Sequence, residues 1–113
     1  MVSDPDPTSR DRETLRRLEA AGADLSRPLD VEFFVHLPGP TQARSLADEL
    51  RAEGYDTEVV EAAGPDDPWA VVARSRFVAT ERELASVRSG LSGRAARHGG
   101  HVDGWGAEVN TPG

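Results

Sequence analysis

The stretch of residues 30–53, DVEFFVHLPGPTQARSLADELRAE, joins a strand pattern to a helix pattern. In residues 30–37 every second side chain is apolar, which predicts a β-strand with one buried face. The PGP segment that follows stops the strand, and Thr41 can cap the next helix. From there to residue 53 the apolar side chains recur at helical spacing, so the stretch predicts a strand followed by an amphipathic helix.

The remaining patterns extend this unit in both directions. A helix that begins at residue 8 or 9 and ends near residue 21 precedes it, with a thin apolar stripe. Downstream, the capping box of Thr80 and Glu83 marks the start of a second long helix, which runs to about residue 98. Three further strands are predicted at residues 55–62, 69–78 and 101–109.

After the leading helix, the element order β-α-β-β-α-β is that of a ferredoxin-like α+β fold. Such a domain has a four-stranded antiparallel sheet with two helices on one face, here with an additional N-terminal helix. We expect a single domain over residues 9–110. It is preceded by a disordered N-terminus, residues 1–8, that is rich in proline and aspartate.

The face of the sheet turned away from the two long helices, here called the open face, is the candidate interface. Its predicted residues lie on the two central strands and are Glu32, Phe34, His36, Val72, Arg74 and Arg76. Phe34 is the most informative of them, because an exposed aromatic ring on an open sheet usually contacts something. That contact is with the N-terminal helix, with a second copy of the chain in a homodimer, or with a protein partner.

Composition narrows the class of protein. The 113 residues include 13 basic and 20 acidic ones, for a formal net charge of −7, and no cysteine. Disulfides, thiolate metal sites and thiol nucleophiles are therefore excluded. The acidity is concentrated before residue 68, where 16 acidic and 7 basic residues leave a net charge of −9. Such a balance argues against direct binding of nucleic acid, which requires a basic face.

Neither export nor membrane insertion is expected from the sequence. The first ten residues, MVSDPDPTSR, are acidic and lack the apolar stretch of a signal peptide. No apolar run approaches the roughly 18 residues of a membrane span. We therefore expect a cytoplasmic protein that does not contact a membrane.

The most distinctive motif is GGHVDGWG, residues 99–106, after the second long helix. The GG pair stops the helix, and Gly104 and Gly106 predict a β-bulge in the last strand. Asp103 precedes Gly104, and Trp105 lies between the two glycines. We expect Asp103 and Trp105 to share one strand face. The Asp-Gly-Trp-Gly segment resembles the bacterial ribonuclease E inhibitors, the RraB-type regulators, whose domain ends in a Tyr-Asp-Gly-Trp-Gly strand. In this chain Val102 replaces the tyrosine.

The resemblance covers roughly residues 11–109 and includes the Gly54-Tyr55 entry into the second strand. It implies a non-enzymatic cytoplasmic regulator that acts by protein–protein binding. The implied partner is a ribonuclease E-type enzyme. It implies no catalytic residue, no cofactor and no metal site.

Other combinations of residues favour other functions. His98, His101 and Asp103 are close in sequence and could bind a transition metal, although the end of the helix separates the two histidines. His36 and Glu32 lie on one strand face and could form an acid–base pair, but no nucleophile motif accompanies them. The alternative function is a small-ligand-binding domain or small enzyme that dimerises through its sheet, and a third is self-association alone.

Overall fold

The computed structural model describes residues 7–107, with side chains from residue 10 onward. Its elements are α1 (Pro7–Ala20), β1 (Leu29–Leu37), α2 (Pro40–Ala52), β2 (Asp56–Val60), β3 (Trp69–Phe77), α3 (Glu81–Arg97) and β4 (His101–Ala107). This is the predicted order, with ends shifted by at most a few residues. Most of the predicted disordered N-terminus, and the end of the predicted last strand, lie outside the described residues. Within residues 7–107 no helix is long and apolar enough to cross a membrane.

The four strands form one antiparallel sheet in the order β2-β3-β1-β4. β1 is central and pairs along its whole length with β3, from Leu29 opposite Phe77 to Leu37 opposite Trp69. Its side chains alternate between buried positions and at least partly exposed ones, as the period-two pattern predicts. The sheet therefore has one buried face and one open face, and the α+β class is confirmed.

The buried face is covered by α2 and α3. Phe33 of β1 is fully buried at the centre of this core. The helices contribute the buried side chains Ala43, Leu46, Ala47 and Leu50 of α2 and Leu84, Leu91 and Ala95 of α3. α1 packs beside α3, where Leu15 joins the core. Because α1 lies on the helix side of the sheet, it does not cover Phe34, and that possibility is excluded.

Helices α2 and α3 begin differently. In α3 the backbone N–H of Glu83 donates to the Thr80 hydroxyl at 3.1 Å, so the predicted cap is confirmed. In α2 the predicted cap by Thr41 is wrong, since the helix starts at Pro40 with Gly39 at the N-cap and no side-chain cap bond. Proline suits the first helical position because its fixed φ is already helical and its missing N–H would have no partner there.

The two glycines inside α3 have different surroundings. A Cβ at Gly90 would lie 3.0 Å from the guanidinium of Arg94, which donates to the Gly90 carbonyl at 2.7 Å. The same guanidinium makes a two-pronged ion pair with Glu53, the C-cap residue of α2. That hydrogen bond lowers the pKa of Glu53 from its ordinary value. Gly90 thus leaves room for a link between α2 and α3, whereas a Cβ at Gly93 would meet nothing within 4 Å.

Replacing Gly93 by alanine should therefore stabilise the protein. The free energy of unfolding is expected to rise by about 0.5–1 kcal/mol, because alanine restricts the unfolded chain and favours a helix. Urea denaturation measures the change. Gly54→Ala is the matched control, since it also meets empty space but has φ +102°, where a side chain is strained, and it should lower stability. A loss of stability in Gly93→Ala would contradict the prediction.

Candidate functional site

The structure places all six predicted interface residues on the open face. Along the central strand pair, Glu32 lies opposite Arg74 and Phe34 opposite Val72. The partial or full exposure of Phe34, His36 and Arg76 leaves them accessible to a partner. Val72 lies on the predicted face but is buried, with 7% of its surface exposed. It therefore adds little accessible surface to the open face.

Phe34 forms an apolar centre on this face. It is 36% exposed, one of two exposed large apolar side chains among the described residues, and Val72 lies beside it on β3. On the other side, β4 presents Gly104 opposite Phe34, and a Cβ at Gly106 would lie 3.9 Å from the ring. Two motif glycines thus leave the flank of the aromatic ring uncovered. The result is a flat apolar patch that a partner's side chains can reach.

Ion pairs surround this apolar centre on the side of β2 and β3. Arg74 lies 3.4 Å from the carboxylate of Glu32 and 3.6 Å from that of Glu58, and Arg76 lies 3.5 Å from Asp30. The hydrogen bond that Arg74 donates to Glu32 raises the pKa of Arg74 above its ordinary value. Both arginines are therefore compensated by carboxylates of the chain itself.

The other end of the open face holds two histidines and a carboxylate. His36 lies opposite His101, with ring centroids 5.4 Å apart and nearly perpendicular planes. The Nε2 atom of His36 lies 3.9 Å from a carboxylate oxygen of Asp103. The predicted acid–base pair of His36 with Glu32 is not assembled, because Glu32 faces Arg74 while His36 faces Asp103.

His98 does not join this group, so the alternative combination of His98, His101 and Asp103 is not assembled. Its Nε2 atom instead lies 2.8 Å from a carboxylate oxygen of Glu49 on α2. The backbone turns at Gly99, whose φ is +77°, and this turn directs the helix end and the strand start to different sides. His98 thus belongs to the contact between the two long helices.

The predicted bulge in β4 is present and places the motif residues Asp103 and Trp105 on different faces of the sheet. The register with β1 shifts between Phe34 and Val35, so that Asp103 is the extra residue. Trp105 then pairs with Phe33 and faces the helices, whereas Asp103 stays near His36 on the open face. The prediction that Asp103 and Trp105 share one face is therefore wrong, because a bulge shifts the alternation by one residue.

On the helix side, Trp105 is held by a buried carboxylate. Its indole N–H donates to Oδ1 of Asp11 at 2.9 Å, and Arg88 of α3 donates to the same oxygen. Asp11 is only 1% exposed. This Asp11 cluster, made of Asp11, Arg88 and Trp105, therefore joins α1, α3 and β4 at one point. A depression of about 320 Å³ lies beside it.

Sequence reasoning missed the role of Asp11. An aspartate in the first turns of a helix is ordinary, because negative charge is favourable near a helix N-terminus. Its burial depends on Arg88 and Trp105, which are distant in the sequence. A sequence signal did exist for the second partner, since a tryptophan in the core needs an acceptor for its N–H.

A family model described as RraB, regulator of ribonuclease activity B, matches residues 8–107. The chain belongs to the RraB family. This match spans nearly the whole of the described structure, from α1 to the end of β4. The comparison with curated proteins found no match.

Membership of the RraB family makes this chain one of a group of regulators of ribonuclease activity, a regulatory class and not a catalytic one. In this RraB-family domain the Asp-Gly-Trp-Gly motif serves two sides of the sheet. Trp105 anchors the strand to the helices, while Gly104 and Gly106 shape the surface beside Phe34. The motif therefore contributes both to the packing of the domain and to the shape of its open face.

Proposed function

We propose that this chain binds a ribonuclease E-type enzyme through its open face and regulates it without chemistry of its own. The observation that carries the proposal is the family match over residues 8–107, which names a regulator of ribonuclease activity. The exposed Phe34 patch supports the choice of face. On the opposite side of the sheet, α2 and α3 already bury the strands.

The open face has the composition of a protein interface. Such interfaces have an apolar centre with aromatic residues and a polar rim, and here Phe34 is surrounded by the paired charges of Glu32, Arg74 and Arg76. Exposed Asp56 and Glu58 of β2 add negative charge at one side. A basic surface of the ribonuclease, such as the region that contacts RNA, is the complementary partner. Charge attraction of this kind speeds association and weakens with added salt.

We also infer that the domain is ferredoxin-like, cytoplasmic and without enzymatic activity. The element order β-α-β-β-α-β and the central position of β1 and β3 support the ferredoxin-like arrangement. The regulatory character of the family supports a non-enzymatic role beside a cytoplasmic ribonuclease.

Replacing Phe34 by aspartate should weaken binding to the ribonuclease by about 30-fold or more, which corresponds to a central contact worth about 2 kcal/mol. The added carboxylate removes the apolar contact and requires desolvation. Isothermal titration calorimetry with purified ribonuclease E from the source organism measures the affinity, and an RNA-cleavage assay measures the loss of inhibition.

Val60→Asp is the matched control for this experiment. Val60 is 39% exposed, against 36% for Phe34, but it lies at the end of an edge strand. We expect it to change the affinity only slightly. Absence of binding by the unmodified chain would overturn the proposed function, and undiminished binding by Phe34→Asp would overturn the choice of face. Val60 lies at the margin of the same face, so equal effects of the two variants would overturn the central place of Phe34 in the contact.

Light scattering on both variants distinguishes a homodimer from a regulator. If the unmodified chain dimerises and Phe34→Asp makes it monomeric while ribonuclease binding persists, the open face is a self-association surface. A chain that is monomeric before and after the substitution leaves the face available to the ribonuclease.

A further inference from the structure

One end of the open face combines three metal-ligating side chains from two neighbouring strands. His36 of β1 faces His101 of β4, and Asp103 lies two residues further along β4. One ligand atom from each of the three residues can be chosen so that all of them lie within 4.8 Å of one another. No other such group of three is present among the residues with described side chains.

The β-bulge keeps the indole of Trp105 away from these three residues. Without it, Trp105 would fall on the same face as His101 and Asp103, since side chains alternate along a regular strand. The extra residue at Asp103 sends Trp105 to the helix side, where it binds Asp11. Glycine therefore occupies the position on the open face that the indole would have in a regular strand. The carboxylate of Asp103 stays beside His36.

We propose that His36, His101 and Asp103 bind a divalent transition-metal ion, with zinc as the best match. Two imidazoles and a carboxylate are the donor set that zinc accepts in sites with an open position. A tetrahedral ion with bonds of about 2.0–2.2 Å holds its ligand atoms about 3.3–3.6 Å apart. His36 and Asp103 are already at 3.9 Å, and rotation of the two exposed side chains on β4 closes the remaining distance.

The surroundings favour a cation at this point. His36 and His101 line a depression of about 360 Å³ together with Asp66 and Asp67 of the loop between β2 and β3. These two aspartates bring further carboxylates to the same depression. No Arg side chain lines this depression, whereas Asp103 lines the depression beside the Asp11 cluster, together with Arg10 and Arg88.

Titration of the full chain with ZnCl2 tests the site. Isothermal titration calorimetry should show one zinc ion bound per chain. His101→Asn and Asp103→Asn should each weaken zinc binding by at least about tenfold, since even the loss of a residue that only orients a ligand has an effect of this size. Both residues are exposed, so neither substitution should prevent folding.

The third histidine of the chain supplies the control. His98 is bonded to Glu49 on the helix side, so His98→Asn should leave the zinc affinity unchanged. In NMR spectra, zinc should shift the imidazole ring signals of His36 and His101 and leave those of His98 in place. Absence of zinc binding at millimolar ZnCl2, or equal affinity in all three variants, would overturn the proposal. None of these measurements requires the ribonuclease.

Discussion

Replacement of Asp11 by alanine is expected to lower the free energy of unfolding by about 3–5 kcal/mol, the usual result of removing one partner of a buried ion pair. Asp11 is 1% exposed and accepts hydrogen bonds from Arg88 and Trp105. The side chain of Arg88 is 19% exposed. Without the Asp11 carboxylate, its guanidinium keeps its charge in a site with little solvent and without its partner. The indole N–H also loses its acceptor. The three elements α1, α3 and β4 then lose their common polar contact.

Urea denaturation followed by circular dichroism measures this loss, and Glu13→Ala is the matched control. Glu13 is also an acid of α1 paired with an arginine, but its side chain is 63% exposed, and such surface pairs contribute little. Arg88→Ala in the Asp11→Ala background should recover part of the lost stability, because it removes the uncompensated charge. If Asp11→Ala lowers the free energy of unfolding no more than Glu13→Ala does, the cluster does not hold the three elements together.

Replacement of Gly100 by alanine is expected to lower stability by about 3 kcal/mol or more, at the upper end of the cost of overpacking. A Cβ at this position would lie 2.3 Å from the carbonyl oxygen of His36 and 2.7 Å from the Cδ2 atom of Leu37. The first of these is a backbone atom of the central strand, so it cannot move without disturbing β1. β4 must therefore shift away from β1, which also displaces Trp105 and the residues beside His36.

Gly99→Ala separates this steric effect from backbone strain. Gly99 has φ +77°, where a side chain is unfavourable, but its Cβ would meet only Pro38, at 3.5 Å or more. Its replacement should cost about 1–2 kcal/mol, the strain of a left-handed residue. Thermal denaturation of both variants should rank Gly100→Ala as the more damaging. The opposite ranking would show that β4 adapts easily to a side chain at its start.

Local patterns were enough to predict most of the secondary structure. The alternation in residues 30–37 predicts β1 because a strand repeats every two residues, whatever packs against it. The cap at Thr80 was readable because its donor, the N–H of Glu83, is three residues away. The predicted cap at Thr41 is wrong because Pro40 occupies the first helical position.

The candidate site was only partly predictable, since it depends on strand register. The open face and its six residues follow from alternation on β1 and β3. The faces of Asp103 and Trp105 do not, because the glycines indicate a bulge without showing which residue is the extra one. A shift of one residue sends the tryptophan to the opposite face.

The elements, their order, the family motif and the buried stripes of β1, α2 and α3 therefore follow from local sequence, since they depend on neighbours within a few positions. Tertiary structure alone decided that α1 packs beside α3, that Asp11 is buried under Trp105, and that His36 meets His101. These contacts join residues far apart in the chain. Their geometry depends on strand register and on the bulge, which no short stretch of sequence specifies.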